Sequence, residues 1–266
     1  MPTLGRFRFL EAQPPASVRP RGALLLLHAF PVNARMWQPQ LSLADRGWRV
    51  IAPHFRGFDG ETPDPPAISI DDLAGDVIDL IDALHIDDAI VAGLSMGGYV
   101  AFAMLRHAPR YIRGLVLADT RPQADTPEGV EGRRRMIQLA SEKGVEAIAD
   151  EMLPKLLGET TRRTRPDIVE TARALVLSNP VAAITGALRA MMARPDSTPL
   201  LSSVHVPTLI VVGEEDSVTP RAVAEEMHTQ IPGSALVVVG GAGHLSNLEN
   251  PVVFNDALAH FLDHRV

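Results

Sequence analysis

The stretch "IVAGLSMGGYVAF", residues 90–102, sets one serine, Ser95, among three glycines between an apolar run and a helix-like run. Glycine inside a helix or strand costs about 0.5–1 kcal/mol relative to alanine. Three of them indicate a place where side chains have no room. A strand, then G-x-S-x-G, then a helix is typical of a nucleophile elbow, in which a tight turn lifts the serine hydroxyl above a sheet. The competing interpretation is a glycine-rich turn with a capping serine.

The rest of the chain repeats short apolar runs separated by longer segments of helical periodicity. Strands that are apolar at every position need cover on both faces, so the pattern predicts an α/β fold with a mostly parallel sheet between helices. Arg6–Ala12 alternates and predicts an edge strand, and Ser69 is a candidate helix N-cap. The predicted buried strands are 23–27, 49–52, 89–94, 114–118, 208–212 and 235–239. Further helices are predicted over 98–107 and 252–264.

One segment departs from this alternation, because residues 120–199 contain helical patterns and no strand-like run. We therefore predict an inserted helical cap over 120–199 and a core made of 1–119 and 200–266. Four of the nine methionines lie in the cap and either fill its own core or line an adaptable apolar pocket. They are Met136, Met152, Met191 and Met192. The predicted helix breaks are Pro154, Pro166, Pro180 and Pro195.

Composition excludes several classes of function. The formal net charge is −7 and no block of Lys and Arg supplies a phosphate footprint, so neither nucleic acid nor a membrane surface is an expected partner. The local cluster Arg133–Arg135 is expected to be a solvated helix face. The chain has no cysteine, and its first residues lack the apolar core of a signal peptide, so we expect a cytoplasmic protein. No motif predicts a metal ion or an organic cofactor.

A serine nucleophile needs a base and a group that orients the base. Two loops follow predicted strands: "GEEDSVTP", 213–220, and "GGAGHLSNLENP", 240–251. We predict that His244 is the base and Asp216 the acid, since the carboxyl ends of parallel strands share one edge of a sheet. Asp119, which also ends a strand, is the alternative acid, with Glu214 and Glu215 less favoured.

The oxyanion of an acyl-transfer intermediate needs two backbone N–H donors. The first is predicted to be Met96, at the start of the helix after Ser95, and the second Phe30, in the loop "HAFP", 28–31. His28 ends the apolar run before that loop and is expected to support the site. Gly93 and Gly97 are expected to stand where any Cβ would collide with a neighbouring strand or helix.

These motifs, taken in order, resemble the α/β-hydrolase fold superfamily, and within it the small cap-bearing esterases, enol-lactonases and cofactor-free perhydrolases. The similarity covers nearly the whole chain: "HAFP" resembles an oxyanion loop H-G-x-P, and "FRGFDG", 55–60, resembles an R-G-x-G turn. Ala29, His54 and Asp59 depart from the family pattern, which makes a structural role of Arg56 an expectation only. Ser95 in place of an elbow aspartate argues against the dehalogenases and epoxide hydrolases of this fold.

The primary hypothesis is a serine hydrolase that cleaves small to medium, largely apolar carboxylic esters. Lactone or enol-lactone hydrolysis and peroxyacid formation would use the same triad. A slow-turnover ligand sensor that retains the triad is a hypothesis of another class. A third possibility, hydrolysis of a C–C bond in an acidic diketone, would need cationic cap residues; the candidates are Arg121, Arg189 and Arg194, each expected at the surface.

Overall fold

In the computed structural model, which describes residues 2–58 and 69–266, an eight-stranded sheet forms the centre of the molecule. The strands are β1 Thr3–Leu4, β2 Phe7–Ala12, β3 Gly22–Leu27, β4 Trp48–Pro53, β5 Ala89–Leu94, β6 Ile112–Ala118, β7 Thr208–Gly213 and β8 Ala235–Val239. Their spatial order is β1-β2-β4-β3-β5-β6-β7-β8, with β1 and β2 antiparallel to their neighbours and the rest parallel. The predicted α/β fold with a mostly parallel sheet is confirmed.

The described helices cover the sheet and form the cap. They are α1 Ile70–Ala83, α2 Met96–His107, α3 Pro127–Leu156, α4 Glu159–Thr164, α5 Pro166–Leu177, α6 Val181–Met192, α7 Arg221–Gln230, α8 Ser246–Glu249 and α9 Pro251–His264. Segments of 3₁₀-helix span Ala34–Arg46, Pro109–Tyr111 and Thr198–Ser203. Ser69 caps α1 as predicted, since its side chain accepts a hydrogen bond from the Asp72 N–H.

Two details of the sequence prediction are wrong. Strand β2 is not the edge, because the two-residue β1 pairs with its outer side. Pro154 does not end a helix: it lies in the last turn of α3, where the loss of one backbone hydrogen bond is tolerated. The interruption of α3 falls at Gly144, whose φ of 79° and ψ of −175° are open to glycine and costly for other residues.

The four helices α3–α6, between β6 and β7, form the inserted cap, in which α3 packs against α5 and α6. Within residues 2–58 and 69–266, no single helix is long and apolar enough to cross a bilayer. Helices α5 and α6 meet the length and composition only as a pair, with a 90° bend between them.

Candidate active site

Ser95 occupies a tight turn between β5 and α2. Its φ of 55° lies in the left-handed region that non-glycine residues rarely adopt, and its N–H donates to the Ala118 carbonyl on the neighbouring strand, N···O 2.9 Å. A non-glycine residue held there is strained, and such strain concentrates at functional sites. The turn projects Ser95 beyond the carboxyl ends of the parallel strands.

The glycines around Ser95 allow the strand and the helix to approach. A Cβ on Gly97 would lie 2.1 Å from the carbonyl oxygen of Leu27 on β3, and one on Gly93 would lie 2.3 Å from the carbonyl oxygen of Gly97. Both contacts are with backbone, which cannot rotate away. A Cβ on Gly98 would lie 2.4 Å from Oγ1 of Thr120, whose hydroxyl donates to the Ser95 carbonyl. All three positions therefore require glycine.

A chain of hydrogen bonds joins the serine to a carboxylate. Nε2 of His244 lies 2.8 Å from Oγ of Ser95, and Nδ1 of His244 lies 2.8 Å from Oδ2 of Asp216. All three residues are buried, although Ser95 and His244 are 149 residues apart in sequence. The fold thus brings together the three side chains that the sequence singled out, in the geometry that proton transfer from a serine hydroxyl requires.

Asp216 is held by more donors than the histidine alone. Its Oδ1 accepts the N–H groups of Val218 and Thr219 at 2.7 and 2.9 Å, and its Oδ2 also accepts the Thr219 hydroxyl at 2.6 Å. Burial alone would raise the pKa of Asp216, but His244 and the Thr219 donors together hold that pKa below its ordinary value. The carboxylate is therefore ionised and fixed in orientation. Thr219 was missed in the sequence, although an aspartate followed by Ser-Val-Thr is a pattern typical of an Asx turn.

Asp119, the alternative acid, forms a different set of contacts. It is 1% exposed, and it accepts the Gly213 N–H at 2.8 Å and the Ser246 hydroxyl rather than a bond from His244. Burial, and then the nearby charge of Asp216, raise the pKa of Asp119 well above its ordinary value. Asp119 therefore links the end of β7 to the loop that carries His244.

His28 holds the loop of the proposed oxyanion donor Phe30. The Phe55 N–H donates to its Nε2 at 3.1 Å, so Nδ1 carries the proton and donates to the Ala29 carbonyl at 2.9 Å. Burial lowers the pKa of His28 to about 3, which keeps the ring neutral. Since the carbonyl and N–H of a trans peptide point in opposite directions, fixing the Ala29 carbonyl also fixes the Phe30 N–H. The other candidate donor, Met96, begins α2, where N–H groups lack helical partners.

The cap is hydrogen-bonded to both loops of the site. The Leu156 carbonyl, at the end of α3, accepts the N–H groups of His244 and Leu245 at 3.0 and 3.2 Å. Oε1 of buried Glu249 accepts the N–H groups of Gly243 and Leu245, and its Oε2 accepts the Gly158 N–H. Glu249 therefore ties the histidine loop to the cap. No local sequence pattern indicated the link to the cap, because Gly158 lies 91 residues away in the chain.

On the acid side, Glu215 accepts both the N–H and the hydroxyl of Thr160 in α4. The residue next to Asp216 is thereby tied to the cap. The junction between α3 and α4 is consequently part of the framework that holds the histidine and the acid.

A cavity of about 560 Å³ lies between Phe30 and the cap, with residues from both sides of the Gly144 interruption in its walls. Met136, Met152, Leu139 and Leu188 form its apolar lining. Of the four cap methionines, Met136 and Met152 thus line a pocket, whereas Met191 is buried and is not part of this lining. Trp37, nine residues after His28, does not line this cavity and is fully buried against Phe254, with ring centroids 5.9 Å apart.

Two expectations for cationic residues are wrong. Arg194 is not at the surface: it is 6% exposed, pairs with Asp125 at 2.8 Å and stacks over the Tyr99 ring. Arg133 is not a solvated residue, because it also pairs with Asp125 and lines the cavity. Arg189 is exposed as expected, whereas Arg121 is partly buried.

The turn "FRGFDG" is described as far as Phe58, and Asp59 lies outside the described residues. Arg56 forms two hydrogen bonds with the Asp76 carboxylate of α1, at 2.6 and 2.7 Å, which gives it the expected structural role. Nδ1 of His54 lies 3.0 Å from the Phe58 carbonyl oxygen. These contacts fix the end of the loop next to His28.

The sequence also matches a family model, described as alpha/beta hydrolase fold, over residues 22–251. The chain belongs to the alpha/beta hydrolase fold family. It is 29% identical over 238 residues to 3-oxoadipate enol-lactonase 2 of Acinetobacter baylyi, an alignment that covers 90% of this chain and 87% of the relative.

Two solved structures of this family are similar to the chain over nearly its whole length. A thermophilic esterase from Thermogutta terrifontis, determined with malate bound, is 37% identical with a TM-score of 0.90, covering 97% of this chain and 93% of the esterase. The enol-lactonase from Burkholderia xenovorans is 25% identical with a TM-score of 0.87, covering 97% of this chain and 96% of the other. The relatives that this alpha/beta hydrolase resembles therefore include both esterases and enol-lactonases.

Proposed function

We propose that this alpha/beta hydrolase cleaves small to medium, largely apolar carboxylic esters through an acyl-enzyme on Ser95. The observation that carries the proposal is the chain of two 2.8 Å contacts from Ser95 through His244 to Asp216. A serine hydroxyl is a weak nucleophile until a base accepts its proton, and the imidazole is within reach of that proton. The similarity to an esterase and to enol-lactonases supports ester or lactone carbonyls as the electrophile.

In the acylation step, Oγ of Ser95 attacks the ester carbonyl carbon while Nε2 of His244 takes the hydroxyl proton. The carbonyl oxygen becomes an oxyanion that accepts the N–H groups of Phe30 and Met96, and each such donor is worth about 10²–10³ in turnover. Asp216 holds the imidazole in position and stabilises its cation. The imidazolium then protonates the alkoxide leaving group as the C–O bond breaks, which leaves an acyl group on Ser95.

In the second step, His244 removes a proton from water, and the hydroxide attacks the acyl-enzyme. The tetrahedral intermediate collapses, Ser95 recovers its proton from the imidazolium, and the carboxylic acid leaves. Lactone hydrolysis follows the same route, except that the leaving alcohol stays attached to the acyl group. Hydrogen peroxide in place of water would give a peroxyacid from the same acyl-enzyme. No metal ion or organic cofactor takes part in this scheme.

The proposal is tested by steady-state turnover of 4-nitrophenyl acetate, butyrate and octanoate and of γ- and δ-lactones. Ser95→Ala is expected to lower kcat by about 10⁴-fold or more. Ser246→Ala is the matched control, because this buried serine donates to Asp119 and not to His244, and it is expected to keep kcat within about tenfold. Equal activity in the Ser95→Ala variant would refute the proposed nucleophile. Lack of turnover on every ester and lactone would favour a ligand sensor instead.

A further inference from the structure

The charge in the cavity wall is opposite in sign to that of the whole chain. The chain carries a formal net charge of −7. The cavity lining nevertheless contains four cationic side chains and two carboxylates, an excess of two positive charges. The cations are Arg121, Arg133, Arg135 and Lys155, and the carboxylates are Asp125 and Glu151. Walls with an excess of one sign raise the local concentration of ligands of the opposite sign.

The carboxylates of the wall are already paired. Asp125 lies between Arg133 and Arg194 and forms ion pairs with both guanidinium groups. Burial acts to raise the pKa of Asp125, but the two arginines together hold it below its ordinary value. Glu151 forms an ion pair with Lys155. Two arginines around one carboxylate leave one positive charge uncompensated at this end of the cavity.

Arg121 connects this cavity to the serine. It follows Thr120, whose hydroxyl donates to the Ser95 carbonyl at 2.8 Å, and its Nη2 donates to the carbonyl of Val218 in the loop that carries Asp216. Among the described residues it forms no ion pair within 4.0 Å, and its buried Nε has no hydrogen-bond partner. A buried N–H without an acceptor is costly, so an acceptor supplied by a ligand would relieve that cost.

We infer that the cavity is a subsite for a carboxylate carried by the substrate, with Arg121 and Arg133 as its cationic residues. This inference rests on the proposed ester or lactone hydrolysis at Ser95. Arginine offers several N–H donors in a planar group that matches a carboxylate. The apolar lining of Met136, Leu139 and Met152 would cover the hydrocarbon between the carboxylate and the ester. The substrate class is then an ester or lactone whose otherwise apolar chain carries a second, ionised carboxyl group.

The experiment compares two pairs of esters that differ in one negative charge. The acyl-side pair is 4-nitrophenyl hydrogen glutarate and its methyl ester, and the alcohol-side pair is 3-acetoxybenzoate and its methyl ester. In at least one pair, kcat/KM for the anion is expected to exceed that for the neutral ester by about 10- to 100-fold, the value of one charge-assisted hydrogen bond. The preference should shrink as ionic strength rises from about 0.05 to about 0.5 M.

The variants separate the charge of Arg121 from general effects. Arg121→Gln is expected to remove most of the preference for the anion, and Arg121→Lys to retain part of it. Arg134→Gln is the matched control, because Arg134 lies on the same helix α3 with 67% of its side chain exposed and is not in the cavity wall. Equal kcat/KM within both pairs in the wild type would overturn the carboxylate subsite while leaving ester hydrolysis in place.

A binding measurement distinguishes failure of this inference from failure of the proposed function. Calorimetric titration of monomethyl glutarate into the Ser95→Ala variant needs no turnover. Binding that is lost when Arg121→Gln is added to that variant supports the subsite even if no ester is hydrolysed. No binding to Ser95→Ala, together with no preference for anionic esters, rejects the subsite.

Discussion

Replacing Asp216 and Asp119 by asparagine, one at a time, separates the two carboxylates that compete for the role of acid. Each oxygen of Asp216 accepts two donors: His244 and the Thr219 hydroxyl on Oδ2, and two backbone N–H groups on Oδ1. An amide presents only one acceptor oxygen, so in the Asp216→Asn variant the NH₂ group opposes either the two backbone N–H groups or the Nδ1–H of His244, although the Thr219 hydroxyl can turn to accept from it. Asp119 differs, because its partners are one N–H and one hydroxyl, and the hydroxyl can accept from an amide.

The magnitudes follow from these contacts. An NH₂ group facing Nδ1 of His244 would force the imidazole into the wrong tautomer, a defect that costs about 10⁴ in kcat, or roughly 5.5 kcal/mol, in the serine protease template. We therefore expect Asp216→Asn to lower kcat by about 10³- to 10⁴-fold. Asp119→Asn keeps both hydrogen bonds, and the raised pKa of Asp119 means that the neutral amide resembles its protonated form, so a loss below about tenfold is expected.

The assay is turnover of 4-nitrophenyl butyrate by both variants, with kcat and KM determined separately. Thermal unfolding followed by circular dichroism shows whether each variant is folded at the assay temperature, because the donors left unpaired by Asp216→Asn also cost about 1–3 kcal/mol of stability each. A folded Asp216→Asn variant with nearly wild-type kcat, or a folded Asp119→Asn variant reduced by about 10³-fold, would refute the assignment.

Three further variants test the framework of the site. The Cβ of Gly97→Ala would lie 2.1 Å from the Leu27 carbonyl oxygen, so this variant should lower the free energy of unfolding by about 3 kcal/mol or more in denaturant titrations. Gly75→Ala, in the open face of α1, should raise that free energy by up to about 1 kcal/mol. Equal effects of the two substitutions would contradict the close packing inferred at Gly97. Because burial lowers the pKa of His28 from 6.5 to about 3, the unfolded state binds a proton at His28 before the folded state does as pH falls. The stability advantage of wild type over His28→Asn should therefore shrink by about 2 kcal/mol between about pH 7 and pH 5, and a constant difference would show that folding does not lower the pKa of His28. In Glu249→Gln only one side-chain oxygen is left to accept from the Gly243 and Gly158 N–H groups, so one of these groups loses its acceptor. We expect kcat to fall by about tenfold with little change in KM, and proteolysis of the cap to become faster. Unchanged values would show that Glu249 does not position the histidine loop.

Features encoded by contiguous sequence were predictable. The apolar runs predict the buried strands because a strand covered on both faces needs apolar side chains at every position, as in "AIVAGL" of β5. The elbow could be identified from glycine spacing, since backbone contacts at Gly93 and Gly97 leave no space for a Cβ. The positions of Asp216 and His244 followed from the rule that parallel strands end at one edge of a sheet.

Features that depend on contacts between distant segments were not predictable. Arg194 resembles a surface residue in its own helical pattern, but it is buried against distant groups: Asp125, 69 residues away, the Gln123 carbonyl and the ring of Tyr99. The same holds for Glu249, whose carboxylate reaches the cap at Gly158. The interruption of α3 at Gly144, with a φ of 79° and a ψ of −175°, was not predicted either, and Pro154 lies in the last turn of that helix.

The most direct measurement of the central claim is the trapping of the acyl-enzyme. Rapid mixing of the wild-type protein with excess 4-nitrophenyl butyrate, followed by an acid quench and mass spectrometry, should give a burst of nitrophenol near one equivalent and a butyryl group on the peptide that contains Ser95. Neither should occur in the Ser95→Ala variant, while Ser246→Ala should show both. A burst or a butyryl adduct that persists without the Ser95 hydroxyl, or turnover with no acyl group on Ser95 at any quench time, would contradict this account.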